Sequence, residues 1–321
     1  MRCSVIICTR NRQSDLERCL ESISRQTLLP DEVIIVDGSD TDRLSTISND
    51  QRFSQLILAY KHTDPGLTRQ RNVGIKMATG DILFFFDDDV ELCKDYIEKI
   101  MEAYKRGRLG NVGGAQGIDL NITNSFLQGK KKLFFYRIFF LDRNDRYAKI
   151  LPSGKVTHLD VAHSIIRRAK DPIRIHCMSG CMMSYHRRVF DEFLFDEQYE
   201  GYSHAEDAEF SKRISGKHSL YCIPQAHLFH NKPLSKKAWY ETTDFSASSI
   251  KCQVDIFRRH LWKNPLNYLA LLWSWVGILI WDGMIHPNRD RFIGDLLGIK
   301  KEFVNIFRPI DQKAYNASVR R

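Results

Sequence analysis

The sequence lacks a Cys-x-x-Cys pair: its eight cysteines stand at positions 3, 8, 19, 93, 177, 181, 222 and 252. That spacing argues against a zinc ribbon or a dithiol redox motif. Two of the cysteines lie inside apolar, strand-like runs, where the side chain acts as a small hydrophobe, so thiols in a reducing compartment are expected. Glycine (18) and proline (9) are too sparse for a low-complexity or collagen-like chain. Neither G-x-x-x-x-G-K-[ST] nor G-x-G-x-x-G occurs, so P-loop and dinucleotide-binding folds lose support. Near the N-terminus only Val5-Ile6-Ile7-Cys8 is apolar, far short of an export signal, and a cytoplasmic location is expected. No internal repeat is visible. What is present fits a globular protein: 321 residues, 43% hydrophobic and 27% charged, room for one large domain with appendages or two modest ones. Lys and Arg number 48 against 39 Asp and Glu, a net charge of +9 that suggests an anionic partner.

Residues 1–120 alternate strand and helix signals. Cys3 to Cys8, Glu32 to Val36, Gln55 to Tyr60 and Asp81 to Phe86 read as strands, the last apolar enough to be buried on both faces. Ser14-Asp15-Leu16-Glu17 has the pattern of a capping box, followed by Leu16, Leu20 and Ile23 at helical spacing. Thr68 to Met77 reads as a second helix closed by Gly80. The alternation predicts a mostly parallel sheet covered by helices, with ligands bound at the strands' carboxyl ends: Thr9–Arg12, Asp37–Asp40 and Asp87–Asp89. Residues 125–170 hold eleven Lys/Arg against three Asp, together with five aromatics between Phe134 and Phe140. The α/β signal resumes from Ile175 to about His230, and a helical, Trp-rich region follows.

The sharpest chemical feature is Phe84-Phe85-Phe86-Asp87-Asp88-Asp89. Three carboxylates directly after a buried strand repel one another unless a cation sits among them. In extended backbone Asp87 and Asp89 share a face and can share one divalent ion with a diphosphate. The alternative is a solvated acidic turn; an EF-hand is excluded because Leu92 takes the place of its glycine. Asp37, at a strand's carboxyl end, can accept hydrogen bonds from a base or a ribose, or can simply cap the next turn. Thr68-Arg69-Gln70-Arg71-Asn72-Val73-Gly74 could clamp a diphosphate at a helix start, or be a solvated helix face. Glu206-Asp207 could complement a helix dipole or supply a general base. His227 and His230, three apart after a strand, are candidate metal ligands.

In order along residues 3–230, these segments resemble glycosyltransferase family 2. Val5 to Arg12 resembles its opening strand and nucleotide loop. Val36-Asp37-Gly38-Ser39-Asp40 resembles its VDDGS-type turn, with Gly38 in place of the usual second Asp. Arg71-Asn72-Val73-Gly74 resembles its RN-x-G segment and Asp87-Asp88-Asp89 its DXD signature. Met178 to Tyr185, Glu206-Asp207 and the late His230 follow. The resemblance implies a GT-A, Rossmann-like sheet with a C-terminal helical extension, and inverting transfer of a sugar from a nucleotide diphosphate, most commonly UDP, to an acceptor hydroxyl. It implies that Asp37 holds the base, flanked by Thr9, Arg10 and Arg12. Asp87 or Asp88 would touch the ribose. Asp89, Asp87 and His230 would hold Mn²⁺ or Mg²⁺, and Arg71 would face the leaving diphosphate. Asp207, beside Glu206, would be the base, and Gly180 and Cys181 would lie on the acceptor side. On this reading residues 1–235 are the catalytic domain, with halves 1–120 and 171–235 and the insert 125–170 between them. Residues 236–321 are a helical extension.

Two other enzyme-fold readings compete: a nucleotidyltransferase, which would want a Gly-rich basic N-terminal loop, and a non-catalytic nucleotide-binding module, which would tolerate damaged acidic motifs. The basic residues concentrate in one aromatic-rich insert rather than in a nucleic-acid motif, so no nucleic-acid partner is expected. Tyr268 to Trp281 is a 14-residue apolar run with three Trp. It reads as an interfacial helix, a buried helix of the core or of a homo-oligomer, or a spanning helix. With the basic insert around Lys130-Lys131-Lys132, it suggests a peripheral enzyme on the inner face of the cytoplasmic membrane, acting on a glycan or lipid-linked acceptor.

Overall fold

The computed structural model describes residues 1–105, 109–121, 130–141, 149–157, 169–199, 205–231, 241–308 and 310. His204 and the side chains of Lys130, Lys131 and Lys132 lie outside this set. In chain order the elements are β1 (Cys3–Thr9), α1 (Gln13–Ser24), β2 (Glu32–Asp37), β3 (Leu58–His62), α2 (Leu67–Met77), β4 (Ile82–Asp87), β5 (Val90–Leu92), α3 (Tyr96–Lys105), β6 (Val112–Asp119), α4 (Lys130–Ile138), β7 (Ile173–Ile175), β8 (Met182–His186), α5 (Glu206–Ser215), β9 (Ser219–His230), α6 (Thr243–His260), α7 (Pro265–Ile280) and α8 (Arg289–Glu302). Contacts divide the chain into two units. Met1–Ile122 and Ser164–Asn231 belong to the first, Thr123–His163 and Lys232–Tyr315 to the second. Residues 130–141 and 149–157 of the basic insert therefore group with the C-terminal helices, and 169–170 with the sheet.

The first unit is built on one sheet in the order β3-β2-β1-β4-β8-β6-β9-β5, with β7 paired to β9. β3, β2, β1 and β4 are mutually parallel, as their continuous apolar runs predict. Beyond β4 the pairing is mixed: β8 is antiparallel to β4 and β6, whereas β6 and β9 are parallel. Val5, Ile6, Ile7 and Val33 to Val36 are wholly buried, and so are Ile82, Leu83 and Phe84.

Two local readings need correction. Ser14 does not cap α1. The helix begins one residue earlier, behind Arg12, with no side-chain cap bond, because Arg12 and Asp15 are drawn into a carboxylate cluster described below. The third strand is Leu58–His62 rather than 55–60. Leu56, apolar enough to suggest strand, covers the core from the bend ahead of β3, next to Phe53 of the preceding 3₁₀ turn.

The RN-x-G segment shows why those residue types stand in α2. Asn72 donates to the carbonyl of Phe195 at 2.9 Å and accepts from its N–H at 3.0 Å. A Cβ on Gly74 would come within 2.4 Å of Ile6 Cγ2, so α2 approaches β1 only where a side chain is missing. Gly74→Ala therefore sets a helix-propensity gain of about 1 kcal/mol against overpacking of roughly 1–3 kcal/mol. A net loss of up to about 2 kcal/mol in urea unfolding is expected, and a stabilised variant would contradict the close approach.

Candidate active site

The site is assembled at the carboxyl ends of three parallel strands. Register places Thr9 beside Asp37 and Cys8 beside Asp87, so β2, β1 and β4 deliver their terminal groups in one row. The chain turns immediately after Asp87, and Asp88 and Asp89 lie in that turn. Asp87 and Asp89 do come together, though through the turn and not through the extended backbone the sequence suggested.

The third member arrives from far along the chain. β5 pairs antiparallel with β9, Val90 opposite His230, and the Asn231 N–H donates to the Asp89 carbonyl at 2.8 Å. His230 Nε2 then lies 3.0 Å from Asp89 Oδ1 and 3.8 Å from Asp87 Oδ2. One ligand atom from each of Asp87, Asp89 and His230 falls within 4.8 Å of the others. Two carboxylates and an imidazole form a donor set that suits Mn²⁺ or Mg²⁺. His227 is outside the cluster, as strand alternation over three positions requires. Burial opposes charge on His230, yet Cys181, Asp89 and Asp87 push its imidazole up to about 11. Burial likewise works against the Asp89 carboxylate, but His230 and Arg12 hold it well below the usual range. The contact of Cys181 with this histidine was not legible in sequence, because the thiol lies in the turn just ahead of β8, about 50 residues earlier in the chain.

Asp88 points elsewhere. It accepts from Thr9 Oγ1 at 2.7 Å and from Arg12 Nη1 at 2.6 Å. Burial pushes its carboxyl up to about 7 against the pull of those two donors. Arg12 also donates to Asp15 at 2.8 Å and to Asp89 at 3.0 Å. Thr9 and Arg12, read as neighbours of a base, thus spend their side chains on the acidic turn.

On the other side of the row Asp37 is fully buried. It accepts from the Ser39 N–H at 2.8 Å, from the Ser39 hydroxyl, and from Tyr60 Oη at 2.8 Å. Gly38 has a steric reason: a Cβ there would meet Pro65 Cα at 3.0 Å and Gln70 Oε1 at 3.1 Å. Gln70 uses that space to donate to the carbonyls of Thr9 at 3.0 Å and Val36 at 2.8 Å, tying the ends of β1 and β2. Arg10 lies on the exposed rim, paired with Asp40 at 3.1 Å.

Arg71 joins the acidic turn to the candidate base. It is buried, with Nη1 2.7 Å from Glu206 Oε1, Nη2 3.8 Å from Asp87 Oδ1 and a hydrogen bond to the Gly180 carbonyl at 3.3 Å. Its guanidinium is thus engaged by protein carboxylates rather than standing open to the cleft. Burial, and then the charge of Asp207, push Glu206 up to about 7, while Arg71 pulls it down. Glu206 is the partner of Arg71; Asp207, half-buried, accepts from the Gly180 N–H at 2.8 Å. A Cβ on Gly180 would lie 2.8 Å from Arg71 Nη2, so a side chain there would displace the guanidinium, whereas its 3.4 Å approach to Asp207 Oδ2 is ordinary contact.

Breaking a buried pair strands a charge and typically costs about 3–5 kcal/mol, whereas replacing both members with apolar groups is often tolerated. Arg71→Met should therefore lose stability of about that size in urea unfolding, and Arg71→Met with Glu206→Leu should recover part of it. Equal loss in the single and double variants would show that the two side chains are not coupled.

Residues 4–194 match the family described as glycosyl transferase family 2. An uncharacterized glycosyltransferase of Bacillus subtilis is 37% identical over 102 residues, 31% of this chain and 37% of the relative. A PGL/p-HBAD biosynthesis glycosyltransferase of Mycobacterium bovis is 36% identical over 91 residues, 28% of this chain and 36% of the relative. The matches thus span about a third of these curated relatives. Among solved structures, GalNAc-T7 with UDP, GalNAc and Mn²⁺ superposes with a TM-score of 0.54 at 14% identity, over 95% of this chain and 57% of that one. The fold is that of the GT-A glycosyltransferases, a central sheet flanked by helices, and the chain belongs to glycosyl transferase family 2.

Proposed function

We propose that the protein transfers a sugar from a nucleotide-diphosphate donor, a UDP-sugar in the first instance, to an acceptor hydroxyl, with inversion at the anomeric carbon. The observation that carries this is the convergence of Asp87, Asp89 and His230 within 4.8 Å on one side of Arg71, with Asp207 held at Gly180 on the other. Family membership supports the reaction class, and the same fold holds UDP and Mn²⁺ in GalNAc-T7.

Asp87, Asp89 and His230 would hold a divalent ion, which supplies positive charge to the diphosphate of the donor. The residues of the chain divide the remaining work. The loop at Arg10 and the turn around Asp37 would seat the nucleoside, the buried Asp37 acting through the groups it fixes, Ser39 and Tyr60. Asp88 anchors the acidic turn to Thr9 and Arg12 and so keeps Asp87 and Asp89 facing His230. The Gly180 N–H orients the carboxylate of Asp207, which would take the acceptor's hydroxyl proton as its oxygen bonds to the anomeric carbon. The bond from that carbon to the diphosphate oxygen breaks, and the nucleoside diphosphate leaves with the electron pair. Arg71, paired with Glu206 and close to Asp87, holds base and metal ligands at a fixed separation. The acceptor would be a growing cell-surface glycan, free or on a lipid carrier.

Two measurements test this. Asp207→Asn keeps the shape and removes the proton acceptor, so turnover should fall on the order of 10²–10⁴-fold. UDP affinity should stay nearly constant in calorimetry, and near-normal turnover would move the role elsewhere. His230→Ala should weaken Mn²⁺ binding, read by the ion's electron paramagnetic resonance in the presence of UDP. Unchanged Mn²⁺ affinity would remove His230 from the centre, and absence of hydrolysis across a panel of nucleotide sugars would sink the transferase reading.

A further inference from the structure

The second unit carries an apolar surface of its own. Helix α7 starts at Pro265, capped by Asn264, which accepts from the Leu266 N–H at 3.0 Å. It runs on through a π-helical turn, Trp281–Ile285. Pro265–Ile285 is therefore 21 residues long, with a mean hydropathy of 1.5 over an 18-residue window, long enough to cross a bilayer where the 14-residue apolar run was not.

The packing of its inner face argues against crossing. Leu271, Trp275 and Ile278 are buried in one cluster with Ile250, Val254 and Phe257 of α6. Gln253 of α6 donates to Ser274 Oγ at 2.8 Å. Asp282, also buried, pairs with Arg291 at 3.2 Å. Helix α6 itself carries Asp244, Lys251, Asp255, Arg258 and Arg259. If α7 spanned a membrane, this charged helix would have to enter the hydrocarbon with it, which is strongly unfavourable.

The outer face is different. Leu266, Leu269, Trp273 and Val276 form one stripe at helical spacing, exposed by 67, 65, 45 and 43%. Phe307, exposed and stacked on Tyr268 at 5.8 Å, extends the apolar surface at the start of α7. The exposed charges of the described residues of this unit have one dominant sign. The acids Asp282, Asp295 and Glu302 are buried, whereas Lys251, Lys263, Arg289, Lys300, Lys301 and Arg308 are exposed. Among the described residues of this unit the exposed acids are Glu241, Asp244 and Asp290. An apolar stripe of this kind needs a partner, and the excess of exposed cations on the same unit favours an anionic one.

We propose that this face docks on an anionic lipid surface, with α7 lying in the plane of the interface and its stripe inserted among the acyl chains. The outward residues Leu297, Phe303 and Val304 of α8 and the turn after it offer further apolar area, and Lys300 and Lys301 meet the headgroups. This stands independently of the transferase reading, since it uses no residue of the candidate active site.

The test is flotation of the whole chain with phosphatidylcholine vesicles, with and without phosphatidylglycerol. The expected result is several-fold more protein floating with the anionic vesicles at low salt, falling as salt rises. Leu266→Glu with Leu269→Glu, two exposed positions, should abolish flotation while leaving the thermal unfolding midpoint unchanged. Lys300→Glu with Lys301→Glu should weaken it for anionic vesicles. Alkaline carbonate should release the bound protein. The proposal is overturned if the wild type stays at the bottom with both vesicle types, or if the Leu266/Leu269 variant floats like the wild type. It also falls if carbonate fails to extract the protein, which indicates a spanning helix. A stable dimer in sedimentation velocity that the same Leu variant converts to monomer would assign the stripe to a second copy of the chain instead.

Discussion

The candidate site depends on one buried cation. Arg71 lies on α2, against the central sheet, and its guanidinium meets Glu206 from α5, Asp87 from the end of β4 and the carbonyl of Gly180 ahead of β8. Acidic groups crowd this region: Asp87, Asp88, Asp89, Glu206 and Asp207 all face partners within it. Without a fixed positive centre they would repel one another in surroundings poor in water. Arg71, with Arg12 paired to the acidic turn, supplies that centre. The guanidinium is planar and has several donors, so it sets directions as well as charge, which a lysine would not.

From that constraint follow the glycines and short side chains nearby. Gly180 lets the chain lie against Arg71, Gly38 leaves room for Gln70, and Gly74 lets α2 settle onto Ile6. Each serves the same end, which is to bring α2 and the acceptor-side segment close enough to the strand ends for Arg71 to reach both sets of carboxylates. The strain-free way to build such a centre is to remove side chains around it rather than to stretch the charged ones toward each other.

The two units use charge in opposite ways. In the first, buried acids are gathered around cations to form a centre. In the second, Asp282 is buried against Arg291, while Lys251, Lys263, Arg289, Lys300, Lys301 and Arg308 are exposed. The same net charge of +9 thus arises from a site that concentrates negative groups and a surface that displays positive ones.

Much of the framework was legible in the sequence. The apolar runs ending in Thr9, Asp37 and Asp87 marked parallel strands and their carboxyl ends, because burial on both faces leaves no alternation to misread. The acidic triplet, Glu206-Asp207 and His230 stood out by residue type. Local pattern failed at two element starts: α1 begins behind Arg12 with no side-chain cap, and the third strand begins at Leu58, after Leu56 has turned into the core. What only the tertiary structure decided was partnership. His230 reaches Asp89 because β9 pairs with β5 across 140 residues, Val90 opposite His230. Arg71, which the sequence placed at a phosphate, is claimed by Glu206 because both are buried together. Which two of three adjacent carboxylates face the histidine and which one faces Thr9 was set by a turn, and which face of Pro265–Ile285 is buried was set by its packing on α6. Strand order and long-range pairing are properties of the whole chain's packing, and no window of sequence contains them.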